Sequence, residues 1–279
     1  MKLHTINTGN FKLDGGAMFG VVPKSIWNEL NPADDNNMCS WALRCLLIED
    51  EDKLILVDNG IGDKQNPKFF SHYFLHGNDS LDQSLASCGF SKDDITDVLL
   101  THLHFDHCGG SIYFDKEKNL YLPSFKNATY WSCEKHWKWA TEPNRREKAS
   151  FLKENILPIK ESGQLKFVEN ENELFNGIHC KFVYGHTEAM MIPHIQYKNN
   201  VVVFMADLLP SAAHIPIPYV MAYDVRPLDS LNEKESFLNE ACNNNYILFF
   251  EHDPSYECCT LKATDRGVRP DRYFKLSEL

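Results

Sequence analysis

At 279 residues with 43% hydrophobic side chains, the chain is long enough to bury one substantial core. Its 28 basic and 39 acidic residues give a formal charge of −11, without the basic footprint that nucleic acid or an anionic membrane surface requires. The absence of any run of about 18 apolar residues argues against a membrane span, and Met1-Lys2-Leu3-His4-Thr5 lacks the apolar core of a secretory signal. Nine scattered cysteines, an odd number without a C-x-x-C pair, read as reduced thiols of a cytoplasmic protein.

In chain order, the first distinctive stretch is Phe11–Asn37, with Gly15-Gly16, Gly20, Pro23 and Pro32 among exposed-looking Met18, Phe19 and Trp27. A long irregular stretch of this kind predicts a lid or binding loop. Strands are expected at Trp41–Ile48, Lys53–Val57, Asp97–Leu100, Ile178–Tyr184, Ile192–Tyr197, Val201–Met205 and Tyr246–Phe250, with Asn199-Asn200 as a hairpin turn. Helices are expected between them. Asn78-Asp79-Ser80 caps one carrying Leu81, Leu85 and Ala86 and ending at Gly89, and Ser230 with Glu233 reads as a capping box for another. Tyr130–Ala140 and Arg145–Asn155 also read as helical. No linker or repeat divides residues 1–279, so the pattern predicts one α/β (α+β) domain of two mixed sheets flanked by helices.

The chemistry concentrates at His102-Leu103-His104-Phe105-Asp106-His107, after the Asp97–Leu100 strand and before Gly109-Gly110. A strand sends successive side chains to opposite faces, so four ligands converge only on a loop at its end. Imidazoles suit Zn²⁺, and a carboxylate suits a second, harder ion beside it. Leu103 and Phe105 turn the other way, into the core. Cys108 is a candidate neighbour of this site. His4, His72, His76, His136, His179 and His194 lack such context and read as surface or core residues.

The pattern His-x-His-x-Asp-His after an apolar strand resembles the signature of the metallo-β-lactamase-fold hydrolases. The remaining motifs are similar and in the family's order: Leu56-Val57-Asp58-Asn59-Gly60, Gly185-His186-Thr187, Ala206-Asp207 and Glu251-His252-Asp253. The resemblance implies a four-layer αββα sandwich. It implies one divalent ion on His102, His104 and His186 and a second on Asp106, His107 and His252, with Asp207 bridging. Asp58 would orient a ligand histidine. Zinc is the default metal, with manganese, cobalt or iron able to occupy the same ligands.

Two such ions make hydroxide available from a bridging water near pH 7, with Asp106 or Asp207 as proton shuttle. The implied reaction is hydrolysis of a small ester, lactone, thioester, amide or phosphoester. A thioesterase of the glyoxalase II kind would add a basic helical domain, whereas 27 residues follow His252. Nuclease relatives need a basic surface. The segment Leu13–Lys24 resembles the N-terminal loop of N-acyl-homoserine lactonase-like proteins, so a lactone is the leading substrate, with the 11–37 segment capping it or serving a homodimer. The tyrosine those lactonases carry three residues after the bridging aspartate is here Pro210, leaving His214 or Tyr223 as replacements and an organophosphate or aryl ester as the alternative substrate. A catalytically silent binding or sensor protein is the alternative of another class.

Overall fold

The structure, a computed structural model, describes residues 1–171 and 173–279, and its packing divides the chain into two compact units. One comprises Met1–Gly9 and Leu43–Asn170, the other Asn10–Ala42 and Glu171–Leu279. Strand β1 (Lys2–Asp14) runs to the short helices α1 (Gly15–Phe19) and α2 (Lys24–Trp27), and β2 (Met38–Asp50) returns. Both strands contribute residues to each unit. The segment 11–37 is therefore not the irregular loop expected. Asp14 caps α1 by accepting from the Ala17 amide at 2.8 Å. Met18, Phe19 and Trp27 are buried to 1% exposure or less, and the exposed apolar side chains are instead Val21, Ile26 and Leu30.

The first unit continues with β3 (Lys53–Val57), α3 (Pro67–Phe70), α4 (Leu81–Ser87), β4 (Asp97–Leu99), α5 (Phe105–Cys108), the hairpin β5 (Ile112–Asp115) and β6 (Leu120–Pro123), then β7 (Thr129–Cys133), α6 (Glu134–Thr141), α7 (Lys153–Glu161) and β8 (Leu165–Val168). The sheet order is β1-β2-β3-β4-β7-β8. β2 and β3 form an antiparallel hairpin, whereas β3, β4, β7 and β8 are parallel, Val57 lying beside Leu99 and Leu99 beside Trp131. Parallel strands bring their carboxyl ends, and the loops leaving them, to one edge of the sheet. Leu47, Leu56, Val98, Leu100, Phe125, Tyr130 and Ile156 are among the core side chains behind that edge.

The expected helix at Tyr130–Ala140 is a strand followed by a helix. Tyr130 is fully buried, and its hydroxyl donates to Ser111 O at 2.9 Å, so tertiary packing of β7 overrides the helical reading of this aromatic stretch. The helix expected at Arg145–Asn155 begins only at Lys153. In contrast, α4 starts and stops as expected, with Ser80 accepting from the Gln83 amide and Gly89 at φ +87°.

The second unit carries β9 (Glu173–Phe175), β10 (Ile178–Val183), β11 (Met190–Tyr197), β12 (Asn200–Phe204), α8 (Pro227–Asn243), β13 (Ile247–Phe249), β14 (Cys258–Thr264) and β15 (Gly267–Phe274). Its sheet runs β15-β14-β13-β12-β11-β10-β9. β12 and β13 are parallel, and the antiparallel pairs β10–β11 and β11–β12 orient β10 with them. The carboxyl ends of β10, β12 and β13 thus share one edge. Tyr197 pairs with Asn200, so the β11–β12 turn is Lys198-Asn199, one residue earlier than expected. Helix α8 also starts earlier than the expected capping box, with Pro227 at its first turn and Arg226 as N-cap. Among the described residues no helix is long and apolar enough to cross a membrane.

Candidate metal centre

In the first unit the ligand-type residues leave the carboxyl end of β4. Leu100 continues the core, Thr101 is buried, and His104 is the N-cap of the one-turn helix α5. Leu103 and Phe105 point into the unit, as the spacing predicts, and are buried. The Leu103 amide donates to His136 Nε2 at 2.8 Å, so a histidine from α6 holds the middle of the ligand loop. His102 Nε2 and His104 Nδ1 stand 3.1 Å apart, and the His102 and His107 rings are 3.9 Å apart. Asp106 is 8% exposed, with a carboxylate oxygen 3.8 Å from His107 Nε2.

Asp58, at the end of neighbouring β3, organises this loop. Its carboxylate accepts from the Thr101 amide at 2.8 Å and the Thr101 hydroxyl at 2.6 Å, and meets His107 Nδ1 at 3.1 Å. Because Thr101 spends its proton on Asp58, its oxygen is the acceptor for His102 Nδ1 at 3.1 Å. The second ring nitrogens of His102 and His107 are thereby left as lone-pair donors. His104 turns Nε2 toward Glu147, 3.5 Å away. The backbone of Gly109 and Gly110 runs so close to the 58–62 turn that a Cβ would sit 2.0 Å from Ile61 O or 2.3 Å from Asn59 O. Only glycine allows that approach.

In the second unit His186 follows β10, Asp207 follows β12 and His252 follows β13. The start of α8 grips the His186 loop. Glu233 accepts from the Tyr184 and Gly185 amides at 2.7 and 3.0 Å, and the Arg226 amide donates to Gly185 O at 2.9 Å. The glutamate read from the sequence as a cap of its own helix instead holds a neighbouring loop. His186 Nδ1 meets Asp224 at 2.9 Å and its Nε2 meets Asp207 at 3.1 Å. Burial opposes charge on this ring, but Asp207 and Asp224 outweigh it and raise its pKa to about 10. His252 Nδ1 donates to Ala42 O at 2.8 Å and its Nε2 lies 3.2 Å from the other oxygen of Asp207. One carboxylate thus spans two imidazoles. Ala206, just before it, adopts φ +42°, a left-handed conformation that costs a non-glycine residue about 1 kcal/mol or more.

Of the other expected residues, His214 and Pro210 line a small cavity with Asp207 and Asp224. His214 is buried and stacked on Phe19 at 4.6 Å, with Nδ1 on Ser211 Oγ at 2.8 Å and Nε2 on Met18 O at 3.0 Å. Burial lowers its pKa to about 3. Both nitrogens are thus engaged, and the ring packs against Phe19 and Trp41, with Trp27 stacked on the other side of the cluster against Phe19. Tyr223 is 40% exposed beside Asp224. Pro210 accepts the His252 amide on its carbonyl at 3.1 Å. Cys108 is fully buried behind Leu103, and burial pushes its thiol up to about 12. Sequence reasoning missed Asp224, Glu147 and His136, whose partners are distant in the chain and carry no local signature.

The donor chemistry fits divalent ions. Each of the five histidines His102, His104, His107, His186 and His252 has one ring nitrogen facing a protein oxygen of its own unit, which orients the other. Such fixing of tautomer and ring direction is how proteins present imidazole to a metal. Asp106 and Asp207 offer carboxylate oxygens beside these rings.

A family model described as the metallo-beta-lactamase superfamily matches residues 44–252. The chain belongs to that superfamily, an α/β fold of mixed sheets and helices, and its class is that of a metal-dependent hydrolase. Among particular relatives, it is 24% identical to the N-acyl homoserine lactonase AiiA of Bacillus thuringiensis subsp. kurstaki over 269 residues, 92% of this chain and 94% of that protein. A probable metal-dependent hydrolase from Staphylococcus aureus superposes with TM-score 0.88 at 31% identity, covering 98% of this chain and 96% of the other. AidC, a dizinc quorum-quenching lactonase solved with its product N-hexanoyl-L-homoserine, superposes with TM-score 0.79 at 21% identity over 98% and 95% of the chains.

Proposed function

We propose that the protein is a dinuclear metal-dependent lactonase acting on N-acyl-homoserine lactones or closely related lactones. The observation that carries this reading is the orientation of five buried histidines, each with one nitrogen facing a protein oxygen. In this reading, carried over from the family's motifs, His102, His104 and His186 would hold one ion and Asp106, His107 and His252 the other, with Asp207 available to both. When bound, such a pair supplies Lewis acidity and makes hydroxide available at neutral pH. Zinc suits the imidazole-rich set, with manganese, cobalt or iron as substitutes.

The residues divide the remaining work. Asp58 and Asp224 hold His107 and His186 by their Nδ1 atoms and keep each Nε2 directed. A carboxylate oxygen of Asp106 or Asp207 accepts the proton of the attacking water and returns it to the leaving alkoxide. His214, with both nitrogens engaged, serves as a wall; Tyr223, exposed, is the remaining candidate for the phenol that Pro210 displaces. The 11–37 segment caps the substrate or meets a second copy of the chain through Val21, Ile26 and Leu30. Nine scattered cysteines without a C-x-x-C pair suit a reducing cytoplasm.

Pro210 favours one second reading, an organophosphate or aryl-ester hydrolase without the phenolic acid. A panel on metal-reconstituted protein separates the two: acyl-homoserine lactones of several chain lengths, simple lactones, aryl esters and a phosphotriester. Turnover of the phosphotriester with no lactone turnover would overturn the lactonase reading. Fewer than two metals per chain by elemental analysis would overturn the dinuclear one. A binder without activity would turn over nothing and lose only stability in His104→Ala and Asp207→Ala.

A further inference from the structure

A cavity of about 360 Å³ opens between α8 and the face of β10 and β11 in the second unit. Its apolar lining includes Val183, Ile192 and Phe237. Three features of its polar lining point to one kind of ligand.

First, among the described residues β9 pairs with β10 only at Ile178 and His179. Toward the end of that strand and just past it, side chains take up backbone amides: Phe182 N donates to Glu171 at 2.9 Å and Tyr184 N to Glu233 at 2.7 Å. Amides two residues apart in the chain are separated by at most roughly 7 Å, so the two carboxylates that take them up come to neighbouring places at the end of β10. Second, no cation pairs with either carboxylate among the described residues, whereas the cavity's third carboxylate, Glu240, is neutralised by Lys181 at 2.6 Å. Third, His194 is 1% exposed and lines the same cavity. Its Nδ1–H donates to Ile192 O at 2.9 Å, which makes Nε2 an acceptor, and that atom is buried with no hydrogen-bond partner among the described residues. Burial also holds the ring's pKa down to about 4, so the acceptor stays neutral. A buried acceptor without a donor is uncommon in native proteins and calls for an explanation.

We propose that this cavity is a binding site for a primary amine on an apolar body, its ammonium donating to Glu171, Glu233 and His194 Nε2 and its body lying against Val183, Ile192 and Phe237. The site lies wholly within the second unit and does not depend on the reaction assigned above. Because Glu233 also holds the Gly185 amide, an ammonium drawing on the same carboxylate is felt at the residue before His186.

The probe is 2-phenylethylammonium, with 2-phenylethanol and 3-phenylpropionate as neutral and anionic analogues, titrated calorimetrically into the full chain. The amine is expected to bind at least about tenfold more tightly than the alcohol, and the acid not to saturate. Glu171 is exposed, so Glu171→Gln keeps the fold; it should weaken amine binding about tenfold, as should His194→Phe. Hydrogen exchange at the Gly185 amide should change with the amine and not with the acid. Equal binding of all three probes, no amine binding at millimolar concentration, or unchanged affinity in Glu171→Gln would each overturn the proposal.

Discussion

Gly185→Ala is the smallest change that should displace His186 from its place among the proposed ligands. A Cβ at Gly185 would stand 2.2 Å from both the amide nitrogen and the hydroxyl of Ser230 and 2.5 Å from its Cα, where ordinary contact begins at 3.4 Å. The hydroxyl can rotate away, but the backbone of α8 cannot. Loop and helix must therefore part by about 1.2 Å. Opposing that movement are the two amides held by Glu233, the Arg226–Gly185 bond and the Ser230 amide bonded to Arg226 O. Overpacking at such a site costs about 1–3 kcal/mol. Weakening bonds to a charged acceptor adds about 1 kcal/mol, so the urea midpoint should fall by about 1 M. His186 follows directly, and a displacement of about 1 Å at a ligand should lower turnover by about 10²-fold. Urea unfolding followed by fluorescence, together with turnover on the best lactone of the panel, reads both quantities. A variant with the parental midpoint and rate would refute the argument that this contact sets the position of His186.

Asp58→Asn replaces one acceptor oxygen with a donor opposite His107 and Thr101; metal affinity, measured by chelator competition, should fall about 10–100-fold while circular dichroism is retained. Phe19→Ala empties the centre of the stack formed with Trp27, Trp41 and His214 and should cost about 3–5 kcal/mol in denaturant unfolding. Lys234 is buried with its ammonium on the carbonyls of Pro216 and Tyr219, and burial lowers its pKa from 10.5 to about 7. The unfolded chain therefore binds the extra proton between those values, so this group makes stability rise with pH from about 7 to 10.5, by at most about 1.4 kcal/mol per unit. Against Lys234→Met, the wild type should gain stability across pH 7–9; parallel pH profiles would count against a buried charge there.

The residues proposed as ligands were legible as candidates because each follows a strand whose apolar run is short and clear, and their order along the chain carries the family pattern. Their supports were not. Asp224 reaches His186 from 38 residues away, and His136 reaches Leu103 from 33, so neither leaves a periodic or local trace. Ser230 with Glu233 illustrates the opposite error. The spacing matches a capping box, but α8 had already begun at Pro227, which freed the Glu233 carboxylate for the Tyr184 and Gly185 amides. Met18, Phe19 and Trp27 looked exposed because their cover, His214, lies almost 200 residues later and the stack forms only on folding.

The stretch after Asp207 is moored at many points: Pro210 O to the His252 amide, His214 to Met18 O, the Pro216 and Tyr219 carbonyls to Lys234, and the Ala222 amide to Ala17 O. A loop fastened this often cannot gain or lose a residue without breaking several moorings at once. Divergence among descendants of this chain should therefore preserve its length and proceed by exchange of outward side chains such as Pro218 and Ala222. Insertions would accumulate in turns fastened only locally, such as Lys116–Asn119, whose Glu117 and Lys118 amides bond no farther than the neighbouring Asp115.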